Sequence, residues 1–342
     1  MQTGLKPRTA LVVALWGVCL FLSLRAAPHV HAQEAPFTFP KQVILRRTGL
    51  LPDDPVKLQK APRLFLSLGP GVAESLPRRV ELRDLLPPVG HQGEQSSCVG
   101  WAMAYYAYSA AIAARQDKDT TLLQQSQHQF SPAFLYNRRT NRTQDEGMSF
   151  SQAFDLLKEG CATMADMPYN PTDSRSQPSA KQLEKARLYA RGQWVGYWET
   201  GQAANIPEMQ AYLAKQRLPL VTGILAFPTF QVLRKDVLPA ADFAKLREFV
   251  YDGPYPADFD AIKAGKVKPE KLGHAVTIAG YDQDRKAFLL VNSWGKNWGN
   301  DGFLWVSENF IQKCSMGIWA VRPGGPFALG NDSSPDLRLT IR

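Results

Sequence analysis

Residues 273–307, GHAVTIAGYDQDRKAFLLVNSWGKNWGNDGFLWVS, constrain the fold more than any other stretch of the chain. Two apolar runs flank a polar DQDRK break, the pattern of a β-hairpin, and a third run, GFLWVS, follows a turn rich in Gly and Asn. Similar short runs, LPLVTGILAF before this stretch and GIWAVRP after it, extend the reading to an antiparallel sheet across the second half of the sequence. The first half differs. From Cys98 to about Arg115 an Ala- and Tyr-rich run is apolar almost all round, as a buried helix requires, and Ser96-Ser97 before it are good N-cap types. Further helices are expected at about 149–159, where Gly160 stops the first, at 178–190 and at 206–216. A helical N-terminal lobe followed by an antiparallel, β-barrel-like C-terminal lobe is an α+β arrangement with a natural cleft between the two.

The ends of the chain read differently from its middle. Lys6 and Arg8 precede an apolar run from about Ala10 to Leu24, then Arg25 and small residues ending in Val30-His31-Ala32, the build of a secretory signal with cleavage after Ala32. The run is too short for a membrane anchor. Residues 1–32 are therefore expected to be a signal peptide, 33–78 an extended lead-in or short pro-segment, 79–323 the main folded domain and 324–342 a loose tail. The implied location is exported, periplasmic or secreted, with no stable membrane association once the signal is gone. Loss of the signal removes Lys6, Arg8 and Arg25 and lowers the net charge from +9 to +6. No block of like charges and no basic stripe interleaved with aromatics accompanies that charge, so no nucleic-acid partner is expected. A monomer is expected.

Four cysteines are present, and Cys19 lies in the signal, which leaves Cys98, Cys161 and Cys314. An odd count in an oxidising compartment points to one free and reactive thiol, with Cys161 and Cys314 either joined as a disulfide or both buried as thiols. No zinc spacing and no H-E-x-x-H string occurs, so neither a metal nor a cofactor is expected. Cys98 opens a helix, where unsatisfied N–H groups favour a thiolate. A nucleophilic Cys needs a base. The mature chain offers His91, His128 and His274, of which the first two fall in loop or polar surroundings. His274 opens the first strand of the hairpin, where the segment alone leaves it open between a core histidine and a base. With the turn centred near Gln283, His274 and Asn292 become direct cross-strand neighbours, so that Asn292 can hold the imidazole in one tautomer. The Gln92 side-chain amide, six residues before Cys98, can join the Cys98 backbone N–H to bind an oxyanion.

Over roughly 79–323 the chain resembles the papain family of cysteine peptidases, carried by VELRDLLPPVGHQGEQSSCVGWA, the region from Gly147 to Gly160, GHAVTIAGYD and NSWGKNWGNDGFLWV. The resemblance implies a papain-like two-lobe fold with Cys98 as nucleophile, His274 as base and acid, Asn292 as its orienting residue and Gln92 in the oxyanion hole. It makes Trp294 the indole that shields the His274–Asn292 contact from water. It also implies that Gly147 and Met148 from one lobe, with Ile224, Ala226 and Ala275 from the other, approach the pocket for the second residue before the scissile bond.

The departures suggest a divergent, bacterial branch. Gln95 and Val99 stand where the family usually has a Cys and an aromatic, and Trp101 comes two positions later. His274 follows Cys98 by 176 positions, against roughly 130–150 in the family, which implies an insertion within 228–272 at the cleft rim. The long helical pro-region common in eukaryotic members is not legible. The function expected is an exported endopeptidase working through a Cys98 thioester. Its rivals are an acyltransferase or amidase on a non-protein substrate, and a catalytically silent binding protein.

Overall fold

A computed structural model describes residues 39, 45–59, 64–115, 119–189, 193–198, 205–322 and 337–341. The signal reading, residues 1–32, lies outside these. The largest element of the second half is an eight-stranded sheet. Its strands are β2 (Arg79–Glu81), β3 (Gln193–Trp198), β4 (Leu220–Leu225), β5 (Val250–Tyr251), β6 (Gly273–Asp282), β7 (Ala287–Val291), β8 (Phe303–Ser307) and β9 (Ser315–Arg322), while β1 (Leu64–Leu68) and β10 (Leu337–Ile341) pair in parallel apart from it. The order is β3-β9-β4-β6-β7-β8-β5, with β2 beside the far end of β6. All pairings are antiparallel except β5 with β8. The sheet is open: β3 and β5 end it without meeting, where the sequence suggested a barrel-like closure.

Every residue of β6 is buried, which is why the run reads as continuously apolar. Val276 and Ile278 face the core of the β lobe, and Ala275 faces the core of the helical lobe. The period of two is then broken by a register shift between Ile278 and Gly280, after which Tyr281 rejoins the β-lobe core. The shift also corrects the hairpin expected from sequence. β6 and β7 pair Thr277 with Val291 and Asp282 with Ala287, so the turn is centred one to two residues beyond Gln283, and β7 ends before Asn292. His274 is paired across the sheet with Ile224 of β4, not with Asn292.

The apolar run at 98–115 forms one helix, α1, built of α turns Cys98–Gly100, a π-helical centre Trp101–Tyr108 and α turns Ser109–Arg115. Its residues from Cys98 to Ala113 are all buried, as an all-round apolar helix demands. The expected N-cap is absent: Ser97 makes no side-chain cap and instead bonds the Tyr169 hydroxyl at 2.7 Å. The remaining helices form at Phe150–Lys158, Ala180–Arg187 and Ile206–Gln216. Residues 228–272 carry short helices at Pro228–Gln231, Ala240–Lys245 and Pro256–Lys263, with β5 among them. Phe230 packs against Trp294 and Trp298, which fixes this region beside His274. Among the described residues no helix is long and apolar enough to cross a membrane.

The lead-in does more than precede the domain. Residues 45–51 lie between the lobes and bond to both walls: Leu50 N donates to Gly273 O at 3.0 Å, Met148 N donates to Gly49 O at 2.9 Å, and Leu51 N donates to Met148 O at 3.1 Å. Leu50 thereby pairs with Met148 in parallel. The tail is only partly a loose end, because Leu337–Ile341 supply β10, the partner of lead-in strand β1.

Candidate active site

α1 delivers Cys98 to the floor of the cleft and β6 delivers His274 to its wall. The Cys98 thiol accepts a hydrogen bond from Ala275 N, the residue after His274, at 3.4 Å. His274 Nε2 meets Asn292 Oδ1 at 2.8 Å, and Ser293 N donates to the same oxygen at 2.7 Å. The second ring nitrogen, Nδ1, is buried without a hydrogen-bond partner. Trp294 lies over the imidazole with centroids 4.3 Å apart and planes 22° from parallel. The His274–Asn292 contact thus forms although the two residues are not cross-strand partners, because the chain turns out of β7 at Val291 and swings Asn292 back toward the start of β6. The backbone after it is held by Tyr106 of α1, whose hydroxyl donates to Asn292 O at 3.0 Å.

Gln92 is fully buried and held at both ends of its amide. Its Oε1 accepts from Ser293 Oγ at 2.7 Å, which leaves Nε2 as a fixed donor to Gln95 O at 2.8 Å and to Arg47 O at 3.0 Å. A lead-in carbonyl therefore sits on the amide that the sequence assigned to an oxyanion. Ser293 was not singled out in the sequence. Its only signal is its place between Asn292 and Trp294.

Electrostatics in this arrangement run against the expectation of a thiolate. Burial pushes the Cys98 thiol up to about 12, against the pull of the Ala275, Val99 and Cys98 backbone N–H groups, and pushes His274 down to about 4 against its bond to Asn292. The helix terminus acts in the expected direction, and desolvation outweighs it. Both groups are neutral while the cleft is filled.

The expected pocket residues divide between two cores. Met148 and Ala275 share a buried cluster with Leu50, and Gly147, at φ 107°, abuts Gly49. Ile224 and Ala226 belong to the β-lobe core instead. Strand alternation explains this: Gly223, cross-strand from Ala275, turns toward the cleft, and a Cβ on it would stand 2.3 Å from Leu50 Cδ2. Cys161 and Cys314 are buried free thiols in the helical-lobe and β-lobe cores respectively, so the disulfide alternative is not formed. His91 lies in the loop before α1, where its Nδ1 accepts from Gly93 N. Among the described residues no cluster of three or more His, Cys, Asp or Glu is disposed to hold a metal.

A model of the papain family of cysteine proteases matches residues 253–323, the segment that carries His274, Asn292 and Trp294. In this segment the chain is similar to the papain-family cysteine peptidases. Relatives are distant. An uncharacterized peptidase C1-like protein of Acanthamoeba polyphaga mimivirus is 22% identical over 243 residues, 68% of each chain, and cysteine proteinase 3 of Entamoeba histolytica is 23% identical over 257 residues, 74% of this chain and 70% of that one. Among solved structures, xylellain, a cysteine protease from Xylella fastidiosa, superposes with a TM-score of 0.58 at 21% identity, covering 83% of this chain and all of that one. Digestive procathepsin L2 proteinase from Tenebrio molitor larval midgut gives 0.56 at 17% identity over 94% and 95%. The papain-like fold extends over most of this chain, well beyond the segment where the family model matches.

Proposed function

We propose that this peptidase is an exported endopeptidase, held latent by its own lead-in, that cleaves peptide bonds through a thioester on Cys98. The observation that carries the reading is the set around the thiol: Ala275 N on the sulfur, and the adjacent His274 with Nε2 fixed by Asn292 and Nδ1 unpartnered. In the open enzyme His274 takes the thiol proton and Cys98 Sγ attacks the carbonyl carbon. The oxyanion gains the Gln92 Nε2 donor and the backbone N–H of Cys98. Collapse breaks the C–N bond, and the leaving amine takes the proton from His274. A water deprotonated by His274 then hydrolyses the thioester and restores the thiol.

Latency follows from the direction of the lead-in. Arg47 O lies on Gln92 while Gly49 and Leu50 run along Met148 in parallel. A segment with its carbonyl at the oxyanion donor but its following residues on the Met148 side points its amide nitrogen away from His274. It fills the cleft without presenting a leaving group to the acid. The export reading rests on the N-terminal sequence pattern. Labelling with an epoxide inhibitor of papain-type enzymes, paired with a fluorogenic peptide library, tests the whole: turnover with labelling supports it, labelling without any peptide cleavage favours an acyl transfer on another substrate, and neither favours a silent binding protein.

A further inference from the structure

His274 must protonate the departing amine, so the leaving half of a substrate exits over the His274 and Trp294 side of the cleft, away from the pocket that holds Leu50. That exit is walled by the segment after Phe230. Gln231 Oε1 accepts from Arg46 N at 2.8 Å, and one helical turn later Arg234 pairs with Trp298 as an isolated bridge, with Lys235 N on Asn297 O at 2.8 Å. Arg234 is 7% exposed, and its Nε is buried without a hydrogen-bond partner. The nearest acid, Asp236 Oδ1, stands 3.5 Å away and is itself 56% exposed. The guanidinium also feels Arg46, a like charge brought in by the lead-in, and the exposed Glu94, which pairs with Arg46 at 3.7 Å.

The Arg234 Nε donor is thus buried with no hydrogen bond, its ion-pair partner Asp236 at 3.5 Å, and Arg46 of the lead-in adds a like charge to its surroundings. When the lead-in leaves, Arg46 leaves with it, and the wall of the leaving-group side keeps a guanidinium whose buried Nε–H donor is suited to a carboxylate. We propose that Arg234 is a specificity-determining residue that selects substrates bearing a carboxylate on the leaving-group side of the scissile bond. This rests on the peptidase reading above. Within an endopeptidase the carboxylate is an acidic side chain one or two residues beyond the cut, and the free C-terminus is the other source of the same chemistry.

The test uses internally quenched peptides with one acyl-side sequence and leucine second before the cut, followed by Ala-Ala, Glu-Ala, Ala-Glu or Lys-Ala. All are amidated at the C-terminus, and Ala-Ala is also made as the free acid. They are assayed on the full chain opened by Leu50→Asp, with Arg234 intact, as Arg234→Gln and as Arg234→Lys. One of the Glu peptides should exceed Ala-Ala in kcat/KM by about tenfold, the order of one partly screened charge-assisted hydrogen bond. Arg234→Gln should abolish the ratio and Arg234→Lys should keep part of it. If Arg234→Gln does not fold, the ratio in the Arg234 protein must still shrink as salt is raised. A gain confined to the free acid assigns the carboxylate to the C-terminus, and a gain confined to Glu assigns it to the side chain. Equal cleavage of acidic and neutral peptides, or a ratio unchanged in Arg234→Gln, overturns this inference and leaves the peptidase reading intact. No cleavage of any peptide overturns both.

Discussion

Gln92 and Ser293 act as a pair. Ser293 Oγ donates to Gln92 Oε1 and so turns the Nε2 end of the amide toward Arg47 O, the place proposed above for the oxyanion. Gln92→Ala should therefore lower turnover by roughly 10²–10³ fold, the usual loss for one oxyanion donor, while iodoacetamide alkylation of Cys98 in the opened enzyme survives, because alkylation forms no oxyanion. Parallel loss of both rates would reduce Gln92 to a loop support. Ser293→Ala leaves the donor present but free to rotate, and kcat should fall by less than in Gln92→Ala. His274 carries a pH consequence. Its pKa in the filled cleft, about 4, lies below the ordinary value of 6.5, so protonation favours any state in which the ring reaches water. The closed arrangement keeps its full stability above pH 6.5 and loses it progressively as pH falls toward 4, by about 3 kcal/mol at most. Asp53 opposes this from the lead-in: burial raises its carboxyl above the usual range, so acid favours its docked state. Hydrogen exchange at the Leu50 and Leu51 amides, corrected for intrinsic rates, should show protection falling as pH drops from 7 to 4. Protection unchanged over that range, or the same loss in His274→Gln, would remove His274 from the switch.

At the scale of elements, the lead-in owes its seat to one glycine and one leucine. A Cβ on Gly49 would lie 2.0 Å from Ser96 O, and Leu50 is 6% exposed among Met148, Ala275 and Cys98. Gly49→Ala or Leu50→Asp should unseat the segment without touching the reacting groups. Loss of one buried leucine, about 1.5–3 kcal/mol, converts to a rise of about tenfold to hundredfold in the rate of epoxide labelling of Cys98. An unchanged rate with an intact fold would mean that the lead-in does not control access. The hairpin shows why sequence reached the right contact by the wrong register. Apolar runs located β6 and β7, but the register shift between Ile278 and Gly280, where a Cβ on Gly280 would stand 2.2 Å from Val80 O, moved the turn away from Gln283. The same limit bears on Ile224 and Ala226, which lie in the β-lobe core. They lie on the right strand or just past its end, and the cleft face of that strand belongs to Gly223, whose lack of a side chain is what admits Leu50.

Across the whole molecule the lead-in and the tail meet, since β1 of the one pairs with β10 of the other over five residue pairs. The tail is thus a tether for the segment that fills the cleft. Removing residues 324–342 should raise basal labelling of Cys98 while leaving the thermal unfolding of the peptidase core within a few degrees, because β10 pairs with no strand of the main sheet. A large loss of core stability would instead make the tail structural. The sequence by itself determined the α+β order, the buried helix from Cys98 and the strand carrying His274, and it named Cys98, His274, Asn292 and Gln92 as the candidate chemical set. The elements are written in local periodicity and turn residues, His274 is reached by elimination among few histidines, and Asn292 and Gln92 follow from spacing and from the family resemblance. Only the tertiary structure decided that the lead-in occupies the cleft, that Ser293 aims Gln92, that Cys161 and Cys314 lie in separate cores, and that the sheet stays open. Those depend on which distant surfaces pack together. The thiol's protonation followed the same rule: helix position, readable from sequence, pulls its pKa down, and burial in the assembled fold pushes it further up.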